Sequence, residues 1–120
     1  MSINEIAQKV VELNRAHNYQ EIYSTLYSSD IVSVESMDGP MKEVTGMDKI
    51  MEKMKWWTEN NEVHSIEVSE PLVADTHFAV TFTMDVTDKN SGNRNASTEL
   101  AVYQVSNGKI TREEFFYSMD

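Results

Sequence analysis

The chain contains no cysteine. That absence removes disulfide frameworks, thiolate nucleophiles and cysteine-based zinc sites together. Histidine is scarce as well: His17, His64 and His77 are scattered, and no two stand at the i, i+4 spacing by which a helix holds a metal ion. There is no apolar run near the roughly 20 residues of a membrane span, and the N-terminus has neither the basic start nor the continuous apolar stretch of a signal peptide. Gly-rich phosphate loops and nucleophile elbows are missing too. Bases are outnumbered, with 10 Lys and Arg against 20 Asp and Glu and a formal charge of −10. Such a surface repels phosphate backbones, so no nucleic acid and no membrane is expected as a partner. The expectation is a soluble, cytoplasmic protein with a single domain over residues 1–120, no bound metal and no cofactor.

What is present reads as helices followed by a meander. Ile6, Val10 and Leu13 recur at helical spacing between Ser2 and His17, and Ser2 with Glu5 matches a capping box. A second, short helix is expected over Tyr19–Ser28, where Ile22/Leu26 and Tyr23/Tyr27 are i, i+4 pairs. Ile31–Glu35 reads as a strand closed by Asp38-Gly39-Pro40, and Gly46 precedes a third helix over Met47–Asn60 with a Met47/Ile50/Met51/Met54/Trp57 stripe. From Val63 the period becomes two. His64, Ile66 and Val68 share one face, Pro71 marks an edge or bend, and Phe78, Val80, Phe82, Met84 and Val86 form the clearest strand. A polar loop over Asp88–Asn95 leads to a terminal hairpin, Thr98–Val105 and Ile110–Tyr117, whose Asn107-Gly108 is a strong turn signal. Both faces of that hairpin carry apolar residues, so each should meet something other than water. The order α-α-β-α-β-β-β-β is that of an α+β domain with helices gathered on one sheet face.

Three stretches, in this order and spacing, resemble the SnoaL-like branch of the NTF2-like superfamily across essentially the whole chain. They are Leu26-Tyr27-Ser28-Ser29-Asp30-Ile31-Val32-Ser33-Val34-Glu35, Gly46-Met47-Asp48-Lys49-Ile50, and Gly108-Lys109-Ile110 with Phe116-Tyr117-Ser118-Met119-Asp120. The resemblance implies a cone-shaped, cystatin-like barrel, three N-terminal helices packed on a curved and mainly antiparallel sheet. It also implies a homodimer joined through the open sheet face, which Leu100 and Val102 would suit. Members of that superfamily include ketosteroid isomerases, polyketide cyclases, epoxide hydrolases and dehydratases, while others only bind ligands or associate, so fold does not give function.

The resemblance puts Glu35 where isomerase-like and cyclase-like relatives carry an acid facing the cavity. There, desolvation would tune it as general base or acid; a one-residue change of register would instead leave it solvated at a strand end. Glu99 and Tyr103 share a strand face near the level where isomerase relatives place an oxyanion-stabilising acid; the plainer reading leaves Glu99 exposed and Tyr103 in the core. His64 is a further acid/base candidate if its apolar neighbours turn it inward, although a lone histidine is more often inert. The first-helix position of the isomerases' oxyanion tyrosine falls on Val11, and Tyr19, Tyr23 and Tyr27 are assigned to the second helix, which argues against steroid isomerisation. Trp57, Met54, Phe82, Met84, Phe115 and Tyr117 are the expected lining of an apolar ligand cavity, with Trp57 over its mouth. The resulting expectation is a small hydrophobic molecule, a cyclic ketone or polyketide-like compound, bound and acted on by a cofactor-independent isomerase, cyclase or hydrolase. Its alternatives are a non-catalytic binding module and a protein-association domain.

Overall fold

A computed structural model describes residues 1–118. Its elements are α1 (Ile3–Arg15), α2 (Tyr19–Thr25), β1 (Tyr27–Val34), β2 (Glu43–Thr45), α3 (Met47–Asn60), β3 (Asn61–Val68), β4 (Leu72–Val73), β5 (His77–Asp88), β6 (Arg94–Ser106) and β7 (Lys109–Phe116). The strands form one sheet in the order β2-β1-β7-β6-β5-β3, with β4 paired to β5. Every pairing is antiparallel except β1 with β7. The sheet curls around the helices without closing. Met119 and Asp120, the last two residues of the closing motif, lie outside the described residues.

Local chemistry accounts for the boundaries. The Ser2 hydroxyl accepts from the Glu5 amide at 3.2 Å and the Glu5 carboxylate accepts from the Ser2 amide at 3.1 Å, the reciprocal cap read from the sequence. Gly46 takes φ 94°, which lets its amide reach the Ile31 carbonyl at 2.8 Å while its own carbonyl accepts from Ile50. One glycine therefore ties β1 to the start of α3. Asn107 and Gly108, at φ 53° and 74°, make the left-handed two-residue turn between β6 and β7.

Three expectations need correction. The second helix ends at Thr25 and the strand begins at Tyr27, because the Leu26 carbonyl accepts from Ile110 at 2.8 Å and Tyr27 pairs with Ile110. Sheet pairing here overrides the Tyr23/Tyr27 helical spacing. Two short strands, β2 and β4, were not anticipated. The alternation around His64 breaks at an irregularity between Val63 and Ser65, which shifts the register against β5.

The core lies between the helices and the concave face of the sheet. Ile6, Val10, Val11, Ile22 and Leu26 from the helices meet Ile31, Phe78, Val80, Ala101, Tyr103 and Ile110, all buried. Burying an aliphatic or aromatic side chain of this kind contributes about 1.5–3 kcal/mol. On the convex face, Leu100 and Phe116 stand opposite each other and are 41 % and 46 % exposed. No helix among the described residues is long and apolar enough to cross a membrane.

Candidate functional site: a buried polar chain on the concave face

The concave face is apolar except along one line. Period-two alternation sends Ser33 inward from β1, with Glu35 just past the strand end, and sends Glu113 and Phe115 inward from β7, with Tyr117 beyond. The pairing of β6 with β7 sets Tyr103 beside Glu113 and Ala101 beside Phe115, so Glu99 falls opposite Tyr117 when the ladder is extended. On its other side Glu99 pairs with Phe82 of β5. Lys53 descends from α3. It lies three residues after Ile50 and four before Trp57, hence on the stripe that faces the sheet, and it is 6 % exposed.

These groups form a continuous hydrogen-bonded chain. The Tyr27 hydroxyl donates to Glu113 Oε2 at 2.6 Å, and the Ser33 hydroxyl donates to Glu113 Oε1 at 3.1 Å. Lys53 Nζ donates to Ser33 Oγ at 2.5 Å and to Glu35 Oε2 at 2.8 Å. The Tyr117 hydroxyl completes the line by donating to Glu35 Oε1 at 2.8 Å. Lys53 also lies 5.6 Å from the centre of the Phe115 ring, a cation–π arrangement. No fully buried side-chain nitrogen or oxygen among the described residues lacks a partner.

Three carboxyl groups thus share one ammonium, and their electrostatics follow from that imbalance. Glu99 is pushed up to about 7, first by burial and then by the charges of Glu35 and Glu113, with Lys53 opposing. Burial pushes Glu113 up as well, opposed by the Tyr27 hydrogen bond, the Lys53 charge and the Ser33 hydrogen bond. The hydroxyls of Tyr27 and Tyr103 are held well above the usual phenol range, chiefly by burial. Tyr117 is raised by burial and by its bond to Glu35. Among the described residues, no three His, Cys, Asp or Glu side chains are placed to hold a metal ion.

The model of the SnoaL-like domain matches residues 1–117. The chain belongs to the SnoaL-like family. A protein of Mesorhizobium loti, provisionally described as a SnoaL-like polyketide cyclase, is 40 % identical and superposes with a TM-score of 0.93 over 98 % of this chain and 100 % of that one. An NTF2-like protein of Burkholderia thailandensis, 15 % identical, gives 0.83 over 97 % and 90 %. A Xanthomonas campestris protein of unknown function with a cystatin-like fold, 14 % identical, gives 0.79 over 100 % and 92 %. No curated protein matches the chain. The cone-shaped, cystatin-like fold expected from the sequence is therefore the observed one.

Within this SnoaL-like frame the structure brings together Glu35, Glu99, Tyr117, Phe82 and Phe115 on the concave face. Tyr103 is buried and stacks on Phe78, ring centres 4.8 Å apart. Met54, Trp57 and Met84 are partly buried, with Met54 and Met84 against the core. His64 is not part of this group. The β3 irregularity leaves it exposed, bonded to Thr87 Oγ1 at 2.7 Å and near Asp85. Val11 is a core residue, as its apolar character requires. Tyr27, assigned to the second helix from the sequence, stands instead on β1 with its hydroxyl on Glu113.

A cleft of about 410 Å3 opens between α2 and α3, lined by Gln20, Tyr23, Ser24, Tyr27, Ser29, Met47 and Met51. It reaches the polar chain from the Tyr27 end, and none of the six expected lining residues borders it. Sequence reasoning missed Lys53, Ser33, Glu113 and Tyr27 as members of the site. Two signals were readable: Lys53 interrupts an otherwise apolar stripe, and Glu113 alternates in step with Phe115 and Tyr117.

Proposed function

We propose that this SnoaL-like domain carries out cofactor-free proton transfer on a small, largely apolar carbonyl compound of the cyclic ketone or polyketide type. The observation that carries the reading is Glu99, a half-buried carboxyl beside Phe82 whose proton affinity is poised at about 7 by burial and by Glu35 and Glu113. A general acid/base group works best with its pKa near the operating pH, and excess buried acid contributes nothing to folding that an apolar residue would not.

In its ionised form Glu99 takes a proton from the carbon next to a carbonyl. The C–H electron pair moves toward the carbonyl oxygen, which receives a hydrogen bond from the remaining N–H of Lys53. Return of the proton to a different carbon gives isomerisation. Attack of the enolate carbon on a second carbonyl of the same molecule forms a C–C bond and gives cyclisation, with Glu99 returning its proton to the new alkoxide. Glu35, which accepts from both Lys53 and Tyr117, holds the Lys53 ammonium in place. The SnoaL-like family membership supports an isomerase or cyclase role at this coarse level.

The test is deuterium incorporation. A panel of cyclic ketones and β-dicarbonyl compounds is incubated in deuterated buffer with the wild type and with Glu99→Gln. Exchange next to the carbonyl, rising through pH 7 and lowered on the order of 10²-fold or more in the variant, is the expected outcome. Exchange no faster than buffer across the panel, or equal in the variant, overturns the reading.

A second reading, a non-catalytic binding module, is favoured by Glu35 itself, since each of its oxygens already has a donor in Tyr117 and Lys53. It is distinguished by ligand retention without turnover and by unaltered binding in Glu35→Gln. For quaternary structure, we propose a homodimer through the convex sheet face, where Leu100 and Phe116 are exposed side by side.

A further inference from the structure

The polar chain can be read for direction as well as for contact. A lysine ammonium has donors and no acceptor, so Ser33 Oγ must accept from Lys53 Nζ, and the single Ser33 proton is left to point at Glu113 Oε1. Tyr27 also has one hydroxyl proton, and it stands 2.6 Å from Glu113 Oε2. Both oxygens of Glu113 therefore face a donor. A proton on Oε1 would meet the Ser33 hydroxyl head-on and force it off Glu113 while Lys53 still bonds its oxygen. A proton on Oε2 would turn Tyr27 into an acceptor and leave its own proton with no carboxylate to meet. An ionised Glu113 satisfies both hydroxyl donors at once, whereas a protonated one would leave a buried hydroxyl proton without its acceptor.

We propose that Glu113 is a positioning residue that stays ionised, its carboxylate orienting Ser33 and thereby seating Lys53 on Glu35, so that Glu99 alone carries the site's exchangeable proton. The inference deepens the acid/base reading given above and rests on it for the meaning of that proton. The hydrogen-bonded contacts themselves stand independently. Glu113 is 4 % exposed and acts only through other residues. Around it lie Tyr27 of β1, Tyr23 of α2, Tyr103 and Glu99 of β6, Lys53 of α3 and Glu35 at the end of β1. Around Glu99 lie Glu35, Glu113, Lys53, Tyr103 and Tyr117. Lys53 is the one cation common to both sets. With Glu35 and Glu113 both ionised, that cation is already outnumbered, and an additional negative charge on Glu99 is the costly one. Burial raises both Glu99 and Glu113, but only Glu113 has two hydroxyl donors to offset it.

The experiment is a carboxyl-carbon NMR titration of the wild-type protein, Glu113→Gln and Glu113→Asp, with Glu99→Gln to assign the Glu99 signal. In the wild type, one buried carboxyl, Glu99, is expected to titrate near pH 7, and the Glu113 signal keeps its ionised position through that step. In Glu113→Gln the Glu99 midpoint moves to lower pH, because a like charge has gone, and the Lys53 ammonium signal broadens as Ser33 loses its fixed orientation. Glu113→Asp, which keeps the charge, returns the Glu99 midpoint toward the wild-type value. A Glu113 signal that titrates near neutral pH in the wild type, or a Glu99 midpoint unmoved in Glu113→Gln, overturns the proposal. Should the glutamine variant not fold, the wild-type titration alone decides it. These readouts need no substrate, so a failure of the exchange assay would not be mistaken for a failure of this assignment.

Discussion

Lys53 Nζ stands 2.8 Å from Glu35 Oε2 with the two side chains only 7 % and 17 % exposed, an ion pair lodged between α3 and the end of β1. Its other bond goes to Ser33, so the same ammonium links the Glu35 and Glu113 ends of the buried chain. Both ions have left water, and desolvation of that kind is offset only while both partners remain.

Lys53→Met should therefore be severe. The thioether fills the space of the lysine stem but leaves Glu35 and Glu113 without their cation. A loss of about 3–5 kcal/mol is expected, measured by chemical denaturation at pH 7. Lys53→Met combined with Glu35→Gln should recover part of it, since the second change removes one of the stranded charges. A single-variant loss within experimental error of zero would show that solvent reaches the pair.

Glu99 makes an opposite contribution to pH dependence from that of an ordinary surface acid. Its folded value of about 7 lies above the 4.5 of a free carboxyl, so between those pH values the folded state holds the proton and the unfolded state does not. Stability is then greatest below the unfolded value and falls as pH rises through the window, by at most about 3 kcal/mol. Denaturation of wild type and Glu99→Gln from pH 5 to 8 checks this. The difference between them should grow with pH in favour of the variant, and a flat difference would place Glu99 in solvent.

Legibility in the sequence followed how local each signal was. Met47–Asn60 was read to the residue because Gly46 marks its start and Met47, Ile50, Met51, Met54 and Trp57 repeat within the helix itself. The Asn107-Gly108 turn is likewise local, its two positive φ angles fixed by those residues. Tyr27 was misread because its spacing from Tyr23 is helical, while the parallel pairing with Ile110 that holds it in a strand comes from 83 positions away. Lys53 was hidden by its neighbours, as a single charge in an apolar stripe is easily counted with the solvated face. Glu113 was hidden by Glu114, because Phe116 follows Glu114 at the same spacing as Phe115 follows Glu113, and the sheet register decides which face turns inward. His64 failed for the converse reason, since one irregularity in β3 moves it out of the alternation that placed it inside.

Tyr27→Phe removes the 2.6 Å donor on Glu113 and changes little else. The buried acceptor loses one of its two hydroxyl partners, so a loss of about 1–3 kcal/mol is expected. Tyr23→Phe retains the edge-on ring contact with Tyr27 at 5.2 Å and should cost less. The two thermal midpoints, compared at one pH, test the order; a Tyr23→Phe loss as large as that of Tyr27→Phe would remove the special place given to the Tyr27–Glu113 bond.

His64→Ala should leave both the Glu99 titration and any carbonyl exchange unchanged. The imidazole is exposed and its bond to Thr87 lies outside the polar chain, so the stability effect belongs to the surface class of about 0.5 kcal/mol or less. A displaced Glu99 midpoint in this variant would return His64 to the site.

The convex face supplies the last prediction. Leu100 and Phe116 pair across β6 and β7 and are 41 % and 46 % exposed, with the Arg112–Glu114 ion pair at 3.3 Å and His77 nearby around a small groove. In a two-fold pairing the same patch meets itself, so one introduced charge appears twice at the contact. Light scattering of the wild type should give about twice the 13.8 kDa chain mass, and Leu100→Asp with Phe116→Asp should give the chain mass. Each copy carries a formal charge of −10, and like charge opposes association until salt screens it. Dimerisation should accordingly tighten between low and physiological ionic strength, the reverse of an interface held by opposite charges. A wild type that remains monomeric at every concentration and salt level would leave Leu100 and Phe116 as exposed surface and remove the dimer from consideration.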